Sequence, residues 1–295
     1  MKNRLRFFLA ILIAAAFGAC SKLQNNALAP VQSTGDIHPA GWTLITSPNF
    51  HGKYIKTNKY DLSTCESCHG TDLKGGMTQK SCYKCHDGAS GPLSCNTCHG
   101  SNLNPAPPSD LAGDTLTSAA GVGAHQSHLA GSDFLSSVQC SSCHIVPQSA
   151  APGVHPAGTG KALIVFSNVA VTQTNTPGSR YYDSTMATIR PVPSFNPQTL
   201  QCSNTYCHGN FKGGNNFTPT WTSVGMNQDA CGTCHGTASN PAPSTSIHEG
   251  AVYQGPSSQN CYFCHEPMMG PNGIQDSSMH VTGQLTLYGR QVSEW

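Results

Sequence analysis

The sequence is short of charged residues, of aromatic residues and, after its first twenty positions, of long apolar runs. Charged residues make up 10% of its 295 positions against about 25% in an average soluble domain, and aromatic residues make up 7%. In addition, 30 Gly and 20 Pro residues interrupt the chain throughout. These features exclude a coiled coil or a helix-rich bundle and leave a thin supply of apolar core for a chain of this length. Something other than side chains must therefore fill the interior.

Runs of like charge are also missing. The formal net charge is +1, and it becomes −2 when the basic residues Lys2, Arg4 and Arg6 of the N-terminal segment are left out. Proteins that bind nucleic acids carry basic patches, so neither DNA nor RNA is an expected partner.

Residues 1–19 have the composition of an export signal. Their three basic residues precede an apolar stretch that is too short to span a bilayer. Cys20 follows directly, which resembles the lipidation site of bacterial lipoproteins, with Phe17 where Leu is usual. We therefore expect a signal peptide over 1–19, lipidation at Cys20 and a lipid-anchored polar tether over 20–37. Ordinary cleavage near Ala16 is the alternative.

Cysteine and histidine are in excess, with 15 and 14 residues. After Cys20 the cysteines occur only in pairs, and a His directly follows every pair. Six pairs have the spacing Cys-x-x-Cys-His, and the seventh has four intervening residues. The motifs are Cys65/Cys68/His69, Cys82/Cys85/His86, Cys95/Cys98/His99, Cys140/Cys143/His144, Cys202/Cys207/His208, Cys231/Cys234/His235 and Cys261/Cys264/His265.

The spacing Cys-x-x-Cys-His is the attachment motif of c-type haem. Its two thiols form thioethers with the vinyl groups, and the adjacent His binds the iron from one face. Two intervening residues place both sulfurs on a short helical turn, and four can do the same with a bulged loop. Zinc ribbons and thioredoxin-like motifs also use paired cysteines, but neither explains a His after every pair. The sequence therefore predicts seven covalently bound haem c groups.

The seven remaining histidines equal the predicted haems in number. A six-coordinate iron needs a second axial ligand, so we expect bis-His ligation throughout and no open iron site. For any single His, a surface or core position is the alternative, and methionines 77, 186, 226, 268, 269 and 279 are alternative ligands. Two of the histidines lie three residues apart and, on a helical turn, would serve two different haems. The predicted second ligands are His38, His51, His125, His128, His155, His248 and His280.

The two halves of the chain repeat one another. The tetrapeptide HPAG occurs at 38–41 and 155–158, and the patterns CHG with KGG and CHG with NPAP recur in the same order. The first half holds four motifs and four of the remaining histidines, and the second holds three of each. We therefore expect a four-haem module over 38–150 and a three-haem module over 151–295.

Between the motifs the chain is rich in Gly, Pro, Ser, Thr and Asn, which favours loops and single helical turns. Residues 162–172 are apolar and β-branched and precede a turn at Pro177 and Gly178, which predicts a small β-hairpin near 162–185. The predicted fold is thus a mostly irregular, haem-organised chain with short helices at the motifs.

Several segments resemble the multihaem c-type cytochromes of metal-reducing and related bacteria that combine CxxxxCH with CxxCH motifs. The similar segments are GVGAHQSHL (121–129), CSSCHIVP (140–147), CSNTYCHGNFKGG (202–214), TPTW (218–221) and CGTCHG (231–236), and the resemblance extends over most of residues 38–270. It implies an electron carrier rather than an enzyme, with closely stacked haems, placed in the periplasm or on the outer surface.

On this resemblance, the expected role is electron transfer by an outer-membrane lipoprotein to a terminal acceptor such as a metal oxide. The expected partners are other redox proteins, such as cytochromes or quinol-linked donors, a mineral or metal acceptor, and a membrane through the lipid anchor. Two alternatives stay open. One is a multihaem reductase of nitrite, hydroxylamine or a sulfur oxyanion with one open haem, and the other is a self-assembling subunit of a cytochrome filament.

Overall fold

The computed structural model describes residues 37–101, 104–147, 162–237 and 259–293. The chain divides into two compact units, Met1–Tyr60 and Asp61–Trp295. The predicted signal peptide and tether, together with Cys20, His155 and His248, lie outside the described residues. Within the described ranges, no helix has the length and apolar character needed to cross a membrane.

Helices are short throughout the described chain, as the density of Gly and Pro predicts. Four of the five α-helices have six or seven residues, and the fifth is a single turn. They are α1 (His51–Thr57), α2 (Ser63–His69), α3 (Cys95–Cys98), α4 (His125–Ala130) and α5 (Gln259–His265). Short 3-10 turns lie at Gly76–Thr78, Cys82–Lys84, Gly91–Leu93, Cys140–Ser142, Asn168–Val171, Tyr206–His208 and Ser277–Met279. Half of these elements coincide with cysteine motifs, which confirms the prediction of short helices at the motifs in a mostly irregular chain.

Three two-stranded antiparallel hairpins complete the regular structure of the described residues. Strands β1 (Ser194–Asn196) and β2 (Gln201–Ser203) pair with Phe195 opposite Cys202. Strands β3 (Met269–Gly270) and β4 (Gly273–Ile274) form a second pair, and β5 (Leu285–Leu287) and β6 (Arg290–Val292) form a third.

The prediction of a small β-hairpin near 162–185 is wrong, because turns occupy this stretch. Asn168 has a left-handed φ of 51° and begins the 3-10 turn Asn168–Val171. Only single bridges occur around it, between His144 and Ile164 and between Thr174 and Ile189. The fully buried Asn175 side chain accepts from the Asp183 backbone N–H (2.8 Å) and donates to carbonyls of the same loop, so a polar side chain replaces strand pairing there.

The apolar core is small. Its few buried side chains include Leu73, Val122, Tyr206 and Phe211. Buried polar residues take the place of further core: the Thr174 hydroxyl, for example, accepts from the buried Lys212 backbone N–H at 2.8 Å. This agrees with the expectation that side chains alone do not fill the interior.

The described part of the first unit, residues 37–60, is organised around Trp42. The His38 imidazole stacks on the Trp42 indole with centroids 4.5 Å apart and planes 5° apart. Tyr54 packs at 5.3 Å from the same indole, and His51 donates from Nδ1 to the Trp42 carbonyl at 2.9 Å. Two predicted iron ligands thus share one aromatic cluster.

Candidate functional site

Five of the six Cys-x-x-Cys-His motifs contain a helical turn, whereas the motif at 231–235 forms a non-helical turn in which Gly232 has a φ of +87°. In three of them the backbone N–H of the His donates to the carbonyl of the first Cys, at 3.0 Å for His86, 3.1 Å for His99 and 2.9 Å for His144. The motifs at 65–69 and 261–265 end helices α2 and α5. This geometry keeps two thiols and an imidazole within one turn, as thioether attachment of haem requires.

The longer motif, Cys202 to His208, combines a strand with a turn. Cys202 lies in β2, Asn204 then adopts a left-handed φ of 57°, and Tyr206–His208 forms a 3-10 turn. The left-handed Asn204 changes the direction of the chain, so the two additional residues of this motif fit between the strand and the turn that carries the second thiol. The predicted bulged loop is therefore built from a strand end and a left-handed Asn.

The fourteen motif cysteines are thiols rather than disulfides. The two cysteines of the longer motif are half-buried, and burial, followed by the charge of Cys143, raises the pKa of Cys202 to about 11 and that of Cys207 to about 12. Burial likewise lowers the pKa of His208 to about 4, which keeps this imidazole neutral at pH 7. A neutral imidazole is the form that binds metals.

The second thiols of three other motifs have different surroundings. Cys68 is half-buried in α2, and its sulfur accepts from the Ser67 hydroxyl at 3.8 Å. Cys85 is exposed at the end of a 3-10 turn. The half-buried Cys264 of α5 has its sulfur 3.6 Å from the Tyr288 hydroxyl, and its carbonyl accepts from the Tyr288 backbone N–H at 2.7 Å. Haem attachment at these three thiols, as at the other motif thiols, stays a prediction.

Many of the described imidazoles are held through Nδ1 by a backbone carbonyl. A carbonyl only accepts, so Nδ1 carries the proton and the Nε2 lone pair is available for a metal, as in well-formed histidine metal sites. The bonds join His51 to Trp42 (2.9 Å), His69 to Lys80 (2.8 Å), His125 to Val122 (2.7 Å), His128 to Ala124 (2.8 Å), His144 to Leu163 (3.4 Å), His265 to Thr286 (2.7 Å) and His280 to Phe134.

Three pairs of imidazoles face one another across similar gaps. Their centroids are 6.1 Å apart for His125 and His144, 6.1 Å for His128 and His208, and 6.2 Å for His235 and His280. A metal–imidazole bond is about 2.0 Å long and a ring nitrogen lies about 1.1 Å from its ring centre, so two imidazoles bound in line to one metal have centroids about 6.2 Å apart. These separations, together with the thiol pairs, fit the two axial positions of a haem c iron.

Trp221 packs against two of these imidazoles. Its ring centroid lies 4.8 Å from that of His125, edge-on, and 5.7 Å from that of His128. Its indole N–H donates to the Ala120 carbonyl at 2.8 Å. A Cβ on Gly123 would overlap the Trp221 ring nitrogen, so only glycine allows this approach.

The segment 209–216 connects two motifs directly. A Cβ on Gly209, whose φ is +96°, would overlap the Cys234 carbonyl oxygen. The Asn215 amide donates to the carbonyls of Gly232 and Gly236, both at 2.8 Å. The turn that carries Cys231 and Cys234 is therefore clamped onto the end of the CxxxxCH motif.

The sequence-predicted site residues are thus brought together in part. The histidines of the Cys140, Cys202 and Cys231 motifs each meet a second His, whereas His38 and His51 lie in the first unit. For the motifs at Cys65/Cys68, Cys82/Cys85, Cys95/Cys98 and Cys261/Cys264 the second ligand stays a prediction. The modules over 38–150 and 151–295 also stay a prediction, and the contact of His128 with His208 crosses their proposed boundary.

Sequence reasoning missed the residues that orient the imidazoles. Trp221 lies in the TPTW segment that carries part of the family resemblance, and this was the one available signal for it. Phe134 and Val122 act through their backbone carbonyls, which no side-chain pattern reveals.

Comparison with known proteins identifies the same central motifs. The family described as "Geobacter CxxxxCH...CXXCH motif" matches residues 201–235. This match spans the Cys202 and Cys231 motifs and supports a multihaem c-type cytochrome-like family with covalently bound haem c and a role in electron transfer. No curated protein and no solved structure matches the chain.

Proposed function

We propose that the chain is a heptahaem c-type cytochrome that carries electrons through bis-His haems, one on each cysteine motif. The observation that carries this proposal is the set of three imidazole pairs with centroids 6.1 to 6.2 Å apart. Each pair joins a motif His to a His outside the motifs. Two axial histidines leave the iron no free position, which favours an electron carrier over a reductase.

When bound, haem c supplies a one-electron iron couple. The chain's own residues would tether each haem through two thiols, and bonds from Nδ1 to carbonyls hold four of the six paired imidazoles. Such outer bonds fix the orientation of a ligand and increase its basicity. Bis-His ligation lowers the reduction potential relative to His/Met ligation, so the expected function is electron transfer at low potential.

We further propose that the protein acts as an exported outer-membrane lipoprotein anchored through Cys20, on the periplasmic or the cell-surface face. The family resemblance supports this location and implies cytochromes or quinol-linked proteins as donors. It also implies a metal oxide as a terminal acceptor. Self-assembly into a filament is a further arrangement, which the low charge and the many small residues would suit. Replacement of Cys20 with Ser should release the haem-containing protein from the membrane fraction, and unchanged retention would contradict the anchor.

The test of the function is to count haems and axial ligands in the mature holoprotein. The intact mass gives the number of attached haems, and low-temperature EPR of the oxidised protein gives the proportion of low-spin to high-spin iron. Seven haems, all low-spin, are expected. One stoichiometric high-spin haem would instead show an open iron and support the reductase hypothesis, and a mass without attached haem would overturn both.

A further inference from the structure

Residues 121–138 form a strap that contacts three of the paired imidazoles. Helix α4 of this strap carries His125 and His128. The His128 carbonyl accepts from the backbone N–H of Val138 at 2.7 Å, and the loop between these two residues lies against His280. There the Phe134 carbonyl accepts from Nδ1 of His280. One short segment therefore supplies two imidazoles and orients a third.

We infer that one iron lies between the imidazoles of each of three pairs: His125 with His144, His128 with His208, and His235 with His280. This inference rests on the proposed function and deepens it, because it assigns second ligands to the haems on the Cys140, Cys202 and Cys231 motifs. Histidines 125, 128 and 280 become the second ligands, although two of them precede and one follows the motif that it serves.

The composition of the pairs supports the assignment independently of the distances. Every pair contains one motif His and one His from outside the motifs, as a haem with one proximal and one distal ligand demands. His125, His128, His144 and His280 also hold their Nδ1 atoms on carbonyls, which leaves Nε2 for the metal.

The three sites adjoin one another. His125 and His128 share one turn of α4, and residues three apart on a helix are surface neighbours. The Gly209 backbone approaches the Cys234 carbonyl closely. The Asn215 backbone N–H donates to the same Cys234 carbonyl at 2.9 Å.

The ring planes differ between the pairs and give the assignment a spectroscopic signature. The planes of His125 and His144 are 18° apart, whereas those of His128 and His208 are 76° apart and those of His235 and His280 are 86° apart. Low-spin ferric haem with near-parallel axial imidazoles gives a rhombic three-line EPR signal. Near-perpendicular imidazoles give a strongly anisotropic signal with a single large g value.

The first experiment replaces one second ligand at a time in the full-length holoprotein. His125→Ala, His128→Ala and His280→Ala should each keep the full haem count by intact mass and convert one haem from low-spin to high-spin. Added imidazole should reverse the conversion. Ser127→Ala, an exposed position between the two histidines of α4, is the matched control and should leave the spectrum unchanged.

The type of signal lost identifies the pair. H125A should remove one rhombic component, whereas H128A and H280A should each remove one strongly anisotropic component. A variant with a full haem count, no new high-spin iron and an unchanged spectrum would overturn the assignment for that His.

Haem deletion tests which motif each ligand serves. In a Cys140→Ala/Cys143→Ala background, which lacks one attachment site, H125A should add no high-spin iron, while H128A should still add one high-spin haem. High-spin iron from H125A in this background would show that His125 binds a different haem and would overturn the pairing.

Methionine variants cover the case in which the alanine variants fail to mature. H125M, H128M and H280M keep a ligand, so each should remain low-spin, gain a thioether–iron charge-transfer band and raise the midpoint potential of one haem. Absence of both changes in a fully haem-loaded variant would contradict the pairing. Failure of the function itself is distinguishable, because it would appear as missing haem or high-spin iron in the unmodified protein.

Discussion

Two regions of the chain each contain three cysteine motifs: residues 61–101, and a central region made of residues 121–147 and 201–237. The motifs of the two regions are fixed by different kinds of contact. In residues 61–101 the contacts are local: Nδ1 of His69 bonds to Lys80, eleven positions away, and the Cys82 backbone N–H donates to the Leu73 carbonyl at 3.0 Å. In the central region the Trp221 indole bonds to Ala120, 101 positions away. The same motif thus occurs in a local and in a long-range setting.

The difference shows which part of a haem site a motif encodes. Five residues suffice for the turn with two thiols and one imidazole, and this turn forms in both regions. The opposing imidazole, by contrast, comes from a distant segment, and in the central region it is held there by packing around Trp221 and the strap. On the proposed pairing, attachment would therefore be a local property, whereas the second ligand would depend on tertiary structure.

The largest expected effect separates the two regions by haem deletion. Cys202→Ala/Cys207→Ala should remove one haem and lower the opening free energy of residues 121–147 and 231–237 by several kcal/mol, because cofactor binding and folding are coupled. Cys82→Ala/Cys85→Ala should affect only residues near 73–101. Intact mass and native-state hydrogen exchange measure both, and equal loss of protection in the central region from the two variants would contradict the comparison.

Gly209→Ala should destabilise the contact between the two central motifs. The new Cβ would overlap the Cys234 carbonyl oxygen and sit on a backbone with φ of +96°. We expect a loss of about 3 kcal/mol, the upper end for a strained backbone position. Gly225→Ala is the control: its φ is +76° but nothing lies within 4 Å of the added carbon, so about 1 kcal/mol is expected. Hydrogen exchange of residues 231–237 distinguishes the variants, and equal losses would show that backbone strain alone matters.

Trp221→Ala should loosen α4 by about 2 kcal/mol, less than for a fully buried aromatic because the indole is only half-buried. Trp221→Phe keeps a ring against His125 and His128 and loses only the bond to Ala120, which is expected to cost about 1 kcal/mol. The readout is hydrogen exchange in residues 121–130. Tyr83→Ala, which removes a half-buried ring in residues 61–101, should leave these amides unchanged, and a similar effect of both variants would argue against a specific role.

Thr78→Val should have the smallest effect and remain local. The Thr78 hydroxyl donates to the Gly75 carbonyl at 2.9 Å and lies 3.2 Å from Nδ1 of His69. Valine has the same shape and lacks these contacts, so we expect about 0.5 to 1 kcal/mol. Exchange of the amides in residues 69–82 should increase while the central region stays unchanged. A change at α4 would show that the two regions are coupled.

The sequence indicated the turns, the thiol pairs and the motif histidines because these depend on residues that are adjacent in the chain. It also indicated that His125 and His128 share a helical face, and α4 confirms this. It did not indicate which histidines meet. The equal numbers of motifs and remaining histidines suggested that each half supplies its own second ligands, yet His128 lies beside His208 of the other half. Folding brings these two distant residues together, and no pattern in the sequence marks them as a pair. The hairpin predicted near 162–185 does not form, for a related reason: the buried Asn175 organises that loop through its side chain.

The single turn between His125 and His128 has a mechanical consequence. On the proposed pairing, two irons are fastened to the same rigid turn of backbone, so thermal movement of the surrounding Gly- and Pro-rich chain shifts both together. The gap across which an electron must tunnel is then nearly constant. The rate of electron exchange between the two neighbouring haems would then stay steady, although the protein has few long elements and a small core. The stiffness that this requires lies in one helical turn and not in the whole fold.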